Sequence, residues 1–125
     1  MARSQERAQR KVSGGRYHQA RTKRKYELAR FESNTKISDK GRAKTIRTLG
    51  GNVKQLLLTV QDINVADRQG KSQKTGLITV VENPANPNLV RRNIITKGAI
   101  VETKLGKVRV TSRPGQEGSL SGVLV

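Results

Sequence analysis

Apolar positions are spread unevenly along the 125 residues. Leu, Ile and Val are sparse in the first part of the chain and dense afterwards, as in Leu77-Ile78-Thr79-Val80-Val81. From about residue 46 onward, runs of five to eight residues rich in Val, Ile and Thr are bounded by Gly, Pro and Asn, which is the pattern of short strands. The pattern predicts strands over 56–61, 77–82, 89–96, 99–103, 107–111 and 120–125. Asn83-Pro84-Ala85-Asn86-Pro87-Asn88 must turn, because neither proline can donate to a ladder and each Asn-Pro step disfavours helix. Residues 62–75 read as a polar loop (Arg68-Gln69-Gly70-Lys71-Ser72), long enough to suggest a functional or mobile segment.

One hairpin can be set in register. With Leu105-Gly106 at its tip, Val101 opposes Val110 and Thr103 opposes Val108 on a core face. Glu102 then opposes Arg109 as an outer ion pair, and such pairs contribute a few tenths to about 1 kcal/mol each. A type I turn with Gly106 at positive φ suits this sequence better than a type I′ turn. Five or six short antiparallel strands with tight connections predict a mainly β fold, a small antiparallel β-barrel or strongly curled sheet, which also removes exposed edges.

Charge changes the picture of the first part. The chain carries 26 Lys+Arg against 9 Asp+Glu, a formal net charge of +17. Residues 1–54 hold 16 of these cations and 4 acids, whereas 55–125 hold 10 cations and 5 acids. A segment this cationic and this poor in apolar residues cannot bury enough surface to offset its ordering entropy. Residues 1–45 are therefore expected to be a long basic N-terminal extension without its own core, and 46–125 the folded body. Arg3, Arg7 and Arg10 would share one face of a short helix, interrupted at Gly14-Gly15. Tyr17, Arg21, Arg24, Leu28 and Phe31 form a second helical stripe with arginines at two of its five positions. Such a face suits phosphates better than an apolar core. The expectation is a helix that orders on a polyanion, since Arg21, Lys23, Arg24 and Lys25 repel one another without a counter-charge. The alternative is a solvated tail.

Candidate chemistry is thin. There is no Cys, which excludes disulfides and thiolate metal sites, and one His, His18, lies within the basic extension. The body's acids (Asp62, Asp67, Glu82, Glu102, Glu117) are scattered, with no pair suited to acid/base or metal chemistry. Gly70-Lys71-Ser72 lacks the upstream glycine of a phosphate-binding loop, since position 65 is Val65. No catalytic residue, metal site, cofactor or small-molecule substrate is expected. No apolar run approaches the ~20 residues of a membrane span, no apolar stretch follows the basic start as in a secretory signal, and the extension lacks a wide apolar face for lying on a membrane.

A nucleic acid is the partner that remains. The three aromatics (Tyr17, Tyr26, Phe31) all lie in the extension, so the β body cannot act as a base-stacking platform. Recognition is expected to run through phosphates and shape, with the extension following a groove or junction of folded RNA. Backbone contacts to phosphate are conceivable at two tight turns, Gly50-Gly51-Asn52 and Arg113-Pro114-Gly115-Gln116-Glu117-Gly118. An architectural, chromatin-like DNA-binding protein is the alternative from the charge alone.

Longer motifs carry a resemblance. Ser13-Gly14-Gly15-Arg16, the run Arg21-Thr22-Lys23-Arg24-Lys25-Tyr26-Glu27-Leu28-Ala29-Arg30, Thr35-Lys36 and Ile46-Arg47-Thr48-Leu49-Gly50-Gly51-Asn52-Val53-Lys54 are joined by matches later in the chain. These are Val81-Glu82-Asn83-Pro84-Ala85-Asn86, the stretch from Arg91-Arg92-Asn93-Ile94 to Glu102-Thr103, and Val110-Thr111-Ser112-Arg113-Pro114-Gly115-Gln116-Glu117-Gly118. Together they resemble small-subunit ribosomal protein eight of the eukaryotic and archaeal type, and the compact length resembles its archaeal members. The chain departs from that pattern at Gln55-Leu56-Leu57-Leu58, which is more apolar. The resemblance implies a non-enzymatic, cytoplasmic constituent of the small ribosomal subunit, bound to 16S-type rRNA and beside neighbouring small-subunit proteins. Candidate RNA contacts in the extension are Arg3, Arg7, Arg10, Lys11, Arg16, Arg21, Lys23, Arg24, Lys25, Arg30, Lys36, Arg42 and Lys44. In the body they are Arg47, Lys54, Arg91, Arg92, Lys97 and Arg113.

Overall fold

A computed structural model describes residues 8–19, 21–67 and 69–125. The chain divides between Glu32 and Ser33 into two compact units. In the second unit, β1 (Lys36–Ile37), β2 (Arg42–Arg47) and β3 (Val53–Val60) form a three-stranded sheet in the order β1-β3-β2. Strands β4 (Asp62–Ala66), β5 (Ser72–Glu82), β6 (Ile100–Thr103), β7 (Gly106–Val110) and β8 (Ser121–Leu124) close into a barrel. Neighbours in the barrel are antiparallel except β4 and β8. The reason is parity. An up-and-down meander of five strands brings its first and last strands into the same direction, so only a parallel pairing seals it.

Alternation fills the interior. Ile63 and Val65 from β4, Val80 from β5, Val101 from β6, and Val108 and Val110 from β7 meet in one buried cluster with Leu57, Val60, Ile95 and Leu120. The mainly β, barrel-forming character of the chain thus follows from period-two patterning in short strands. Leu56 and Leu57 are also buried, which accounts for the apolar Gln55-Leu56-Leu57-Leu58 stretch. Thr35 pins the chain to this core: its hydroxyl donates to the Leu57 carbonyl (2.6 Å), and its own carbonyl accepts from the Ile95 amide (2.9 Å).

Four local expectations are corrected. Residues 62–75 are not a loop, because Asp62–Ala66 and Ser72–Glu82 pair as β4 and β5 around a short turn. Residues 89–96 are not a strand: Pro87–Arg92 is a 3-10 helix and Ile94 makes an isolated bridge to Lys36. Pro87 favours the first helical turn, the Asn86 side chain accepts from the Asn88 amide (3.0 Å), and Asn93 ends the turn in the left-handed region (φ 49°). The β6–β7 hairpin is shifted by two residues, pairing Val101 with Val108, Glu102 with Lys107 and Thr103 with Gly106, while Ile100 faces Arg109. Gly106 takes the positive φ expected of it (129°), but as the first residue of β7 rather than at the tip. Finally, β1 and β2 are strands within the segment expected to be an extension.

In the first unit the described residues form no α-helix, and the expected helix is one that orders on a polyanion. The described residues there include a 3-10 turn, Lys25–Glu27, and a turn over 11–15 closed by an antiparallel bridge between Arg10 and Arg16. The Glu27 carboxylate accepts two bonds from the Arg21 guanidinium (3.0 and 2.5 Å) and one from the Arg24 amide (2.9 Å). These bonds hold 21–27 in a tight course that is not α-helical. The Arg3, Arg7, Arg10 stripe falls partly outside the described residues.

Candidate nucleic-acid interface

Every described member of the candidate set is exposed, from Arg10 to Arg113, whereas Arg3 and Arg7 lie outside the described residues. In the first unit the Arg10–Arg16 bridge sets two guanidinium-bearing residues opposite each other, and like charges in that position repel. Lys11 lies in the same turn, its ammonium 5.5 Å from the centre of the Tyr17 ring. Lys23, Arg24, Lys25 and Arg30 follow on exposed backbone, and Phe31, instead of packing locally, is almost fully exposed. The Arg21 guanidinium is clamped by Glu27. The hydrogen bond from Arg21 comes first among the causes that hold the Glu27 carboxyl below its ordinary range, followed by the bond from the Arg24 amide.

In the second unit the cations fall on distinct elements. Lys36 stands in β1 beside the Arg91-Arg92 turn, since it bridges Ile94 and the Ile37 amide donates to the Asn93 carbonyl (3.3 Å). Asn93 fastens that turn to β5 by accepting at its side-chain oxygen from the Thr79 hydroxyl (3.1 Å). The β2–β3 hairpin carries Arg42, Lys44, Arg47 and Lys54, with β2 at the edge of its sheet. Lys54 donates to the Gln116 side chain (2.7 Å) and so is tied to the loop that begins at Arg113. Lys97 occupies a separate turn, closed by the Ala99 amide donating to the Thr96 carbonyl (3.1 Å).

The two glycine turns differ. A side chain at Gly115 would strike the Ser33 hydroxyl (2.7 Å) and one at Gly118 the Gln55 side chain (2.5 Å). Close packing, of Gly115 on Ser33 and of Gly118 on β3, explains these glycines, and the Pro114 carbonyl accepts from the Leu57 amide of β3 (2.8 Å). At the β2–β3 tip, by contrast, a side chain at Gly51 would meet open space. A further cation outside the candidate set, Lys40, lies in the turn before β2, and its carbonyl accepts from the Thr59 hydroxyl (2.7 Å). Its signal was present, since no acid falls between Lys40 and Lys54. Among the described residues, no group of three or more His, Asp or Glu side chains is placed to hold a metal ion, and no helix is long and apolar enough to cross a membrane.

Residues 4–125 match the family described as Ribosomal protein S8e. The chain is 53% identical over 126 residues to the small ribosomal subunit protein eS8 of Methanobrevibacter smithii, covering 100% of both chains. It is 50% identical over 117 residues to the protein of the same name from Methanocorpusculum labreanum, covering 93% of each. With that of Nanoarchaeum equitans it shares 48% identity over 122 residues, 97% of this chain and 95% of the other. A match over nearly the whole length, with relatives about half identical, means that this chain belongs to the ribosomal protein S8e family.

Proposed function

We propose that the protein is a structural constituent of the small ribosomal subunit in the cytoplasm, where it binds and stabilises folded 16S-type rRNA. It does so through its basic N-terminal segment and the exposed cations of the β body, next to other small-subunit proteins. One observation carries this reading: the described candidate cations are exposed, including two arginines set directly against each other at the Arg10–Arg16 bridge. A polyanion relieves that repulsion and gains affinity by counterion release. Family membership supports the ribosomal role, and the relatives are named as small ribosomal subunit proteins. The barrel then serves as a rigid mount, and the work is positional rather than catalytic.

The test is binding to in vitro transcribed small-subunit rRNA across a salt series, with duplex DNA as competitor. If the basic segment neutralises about eight phosphates, the slope of log K against log salt is about −6 to −7. The protein should also sediment with the small subunit at moderate salt. A free pool in the lysate, or retention by duplex DNA equal to that by rRNA, would overturn the proposal.

A further inference from the structure

The tip of the β2–β3 hairpin combines features that a solvated turn does not need. Leu49 is 92% exposed and Val53 65% exposed, on a segment whose flanks are basic. Five cations (Lys40, Arg42, Lys44, Arg47, Lys54) and no acid lie between Lys40 and Lys54. The tip is also preorganised. The Thr48 amide donates to the Asn52 carbonyl (2.6 Å), and the Asn52 side-chain amide donates to the Leu49 carbonyl (3.1 Å). Gly50 and Gly51 both adopt left-handed backbone (φ 71° and 75°), which fixes the sharp reversal and leaves these two positions after Leu49 without side chains. The outcome is a narrow rigid finger, apolar at its point and cationic along its sides.

We propose that this finger is an RNA wedge, with Leu49 seated against ribose and base edges in the minor groove of folded RNA while the flanking cations meet the phosphates on either side. The inference rests on the rRNA-binding reading above and assigns it a specific contact. Charge complementarity selects the occupant. An apolar pocket on another protein would bury Leu49 but would give Lys40, Arg42, Lys44 and Lys54 no counter-charge, whereas an RNA groove satisfies both. Groove shape agrees, because the minor groove of an A-form helix is wide and shallow enough for a two-stranded tip and the major groove is not. Small glycines let the ribose-phosphate backbone come close to the turn, and apolar side chains acting as wedges are an established device of minor-groove binding.

The wedge separates from ordinary phosphate binding by its salt dependence. Burying a leucine contributes an affinity term without ion release, so Leu49→Ser in the full chain should weaken binding to small-subunit rRNA by about tenfold at every salt concentration, with a slope parallel to the parent's. Lys44→Gln should instead flatten the slope by slightly less than one unit. Reagents that modify the ribose 2′-hydroxyl should find one short stretch of RNA protected by the parent and by Leu49→Met but reactive again with Leu49→Ser. The urea midpoint of Leu49→Ser should equal the parent's, because the side chain packs on little within the chain. Parental affinity and protection for Leu49→Ser would refute the wedge while leaving the steep salt slope, and hence the rRNA reading, intact. Normal binding to naked rRNA with failure to enter a protein-complete subunit would also refute it, by making a protein the occupant. Loss of the parent's own salt-dependent binding would overturn the underlying reading instead.

Discussion

Gly122 offers a quantitative test of the barrel. It lies in β8 between two partners, Val110 on β7 and Val65 on β4, at the pairing that seals the cylinder. A methyl group added there would run into the Val108 side chain, sit 2.8 Å from the Arg109 carbonyl oxygen and 3.1 Å from the Ile63 side chain. Val108 and Ile63 are fully buried and have nowhere to rotate, and the carbonyl cannot retreat without parting β7 from β8. Overpacking usually costs about 1–3 kcal/mol. With backbone among the obstacles, we expect Gly122→Ala to cost about 3 kcal/mol, a large share of the ~5–15 kcal/mol by which a domain is stable, and to lower the melting temperature by more than about 10 °C. Val108→Ala alone removes two methyl groups and should cost about 2–3 kcal/mol, including the cavity it leaves. Combined, the two changes relieve one obstacle, so their costs should fall short of additivity by at least about 1 kcal/mol. Urea unfolding of the RNA-free chain, followed by far-ultraviolet ellipticity, measures all three. A Gly122→Ala variant within about 0.5 kcal/mol of the parent, or strictly additive costs, would show that β8 does not close the barrel as described.

Other perturbations probe different parts. Val101→Asp or Val110→Asp puts an unpaired charge among fully buried neighbours and should abolish cooperative thermal unfolding of the body; an unchanged melting curve would contradict their inward facing. Thr35→Val leaves the Leu57 carbonyl without its hydroxyl donor and should cost about 1–3 kcal/mol in the same urea assay. Removing residues 1–32, which end where the second unit begins, should leave a folded barrel that binds rRNA weakly and with a shallower salt slope. The depressed Glu27 carboxyl makes the 21–27 turn acid-labile: its contribution is complete above the ordinary carboxylate value of 4.5 and is lost as pH falls through the lower folded value. Carboxyl chemical shifts of Glu27 should titrate below the ordinary value of 4.5, and Arg21→Ala should move them back toward it.

How much of this was legible can be judged residue by residue. The inward set Val101, Thr103, Val108 and Val110 was correctly identified even though its register was off by two, because a two-residue slip keeps every side chain on the same face. Only turn geometry distinguishes the two alignments, and there Thr103 decides: its hydroxyl donates to the Gly106 carbonyl (2.9 Å) and accepts from the Leu105 amide (3.3 Å), which closes the tip over Lys104-Leu105. Strand β4 was hidden by polar neighbours, although Ile63 and Val65 alternate with Asp62 and Asn64 as a half-buried strand should. The opposite error befell Leu89 and Val90, whose apolar character suggested a strand while Asn86, Pro87 and Asn93 were dictating a 3-10 turn. For the interface, charge was readable and engagement was not. Nothing in the local sequence shows that Lys54 will be tied to Gln116, which is 62 positions away. The clamp on Arg21 was closer to hand, since Glu27 is the one acid among its near neighbours.

The closing position of β8 has a consequence during synthesis. Because β8 pairs with both β7 and β4, a nascent chain that has emerged only as far as β7 still presents two unpaired strand edges, each a template for sticking to another copy. The cylinder is completed by the strand made latest, so protection from aggregation arrives in a single step at residues 121–124. Ribosome stalling or truncation just before that point should therefore be far more harmful to solubility than losses of similar length among residues 8–32.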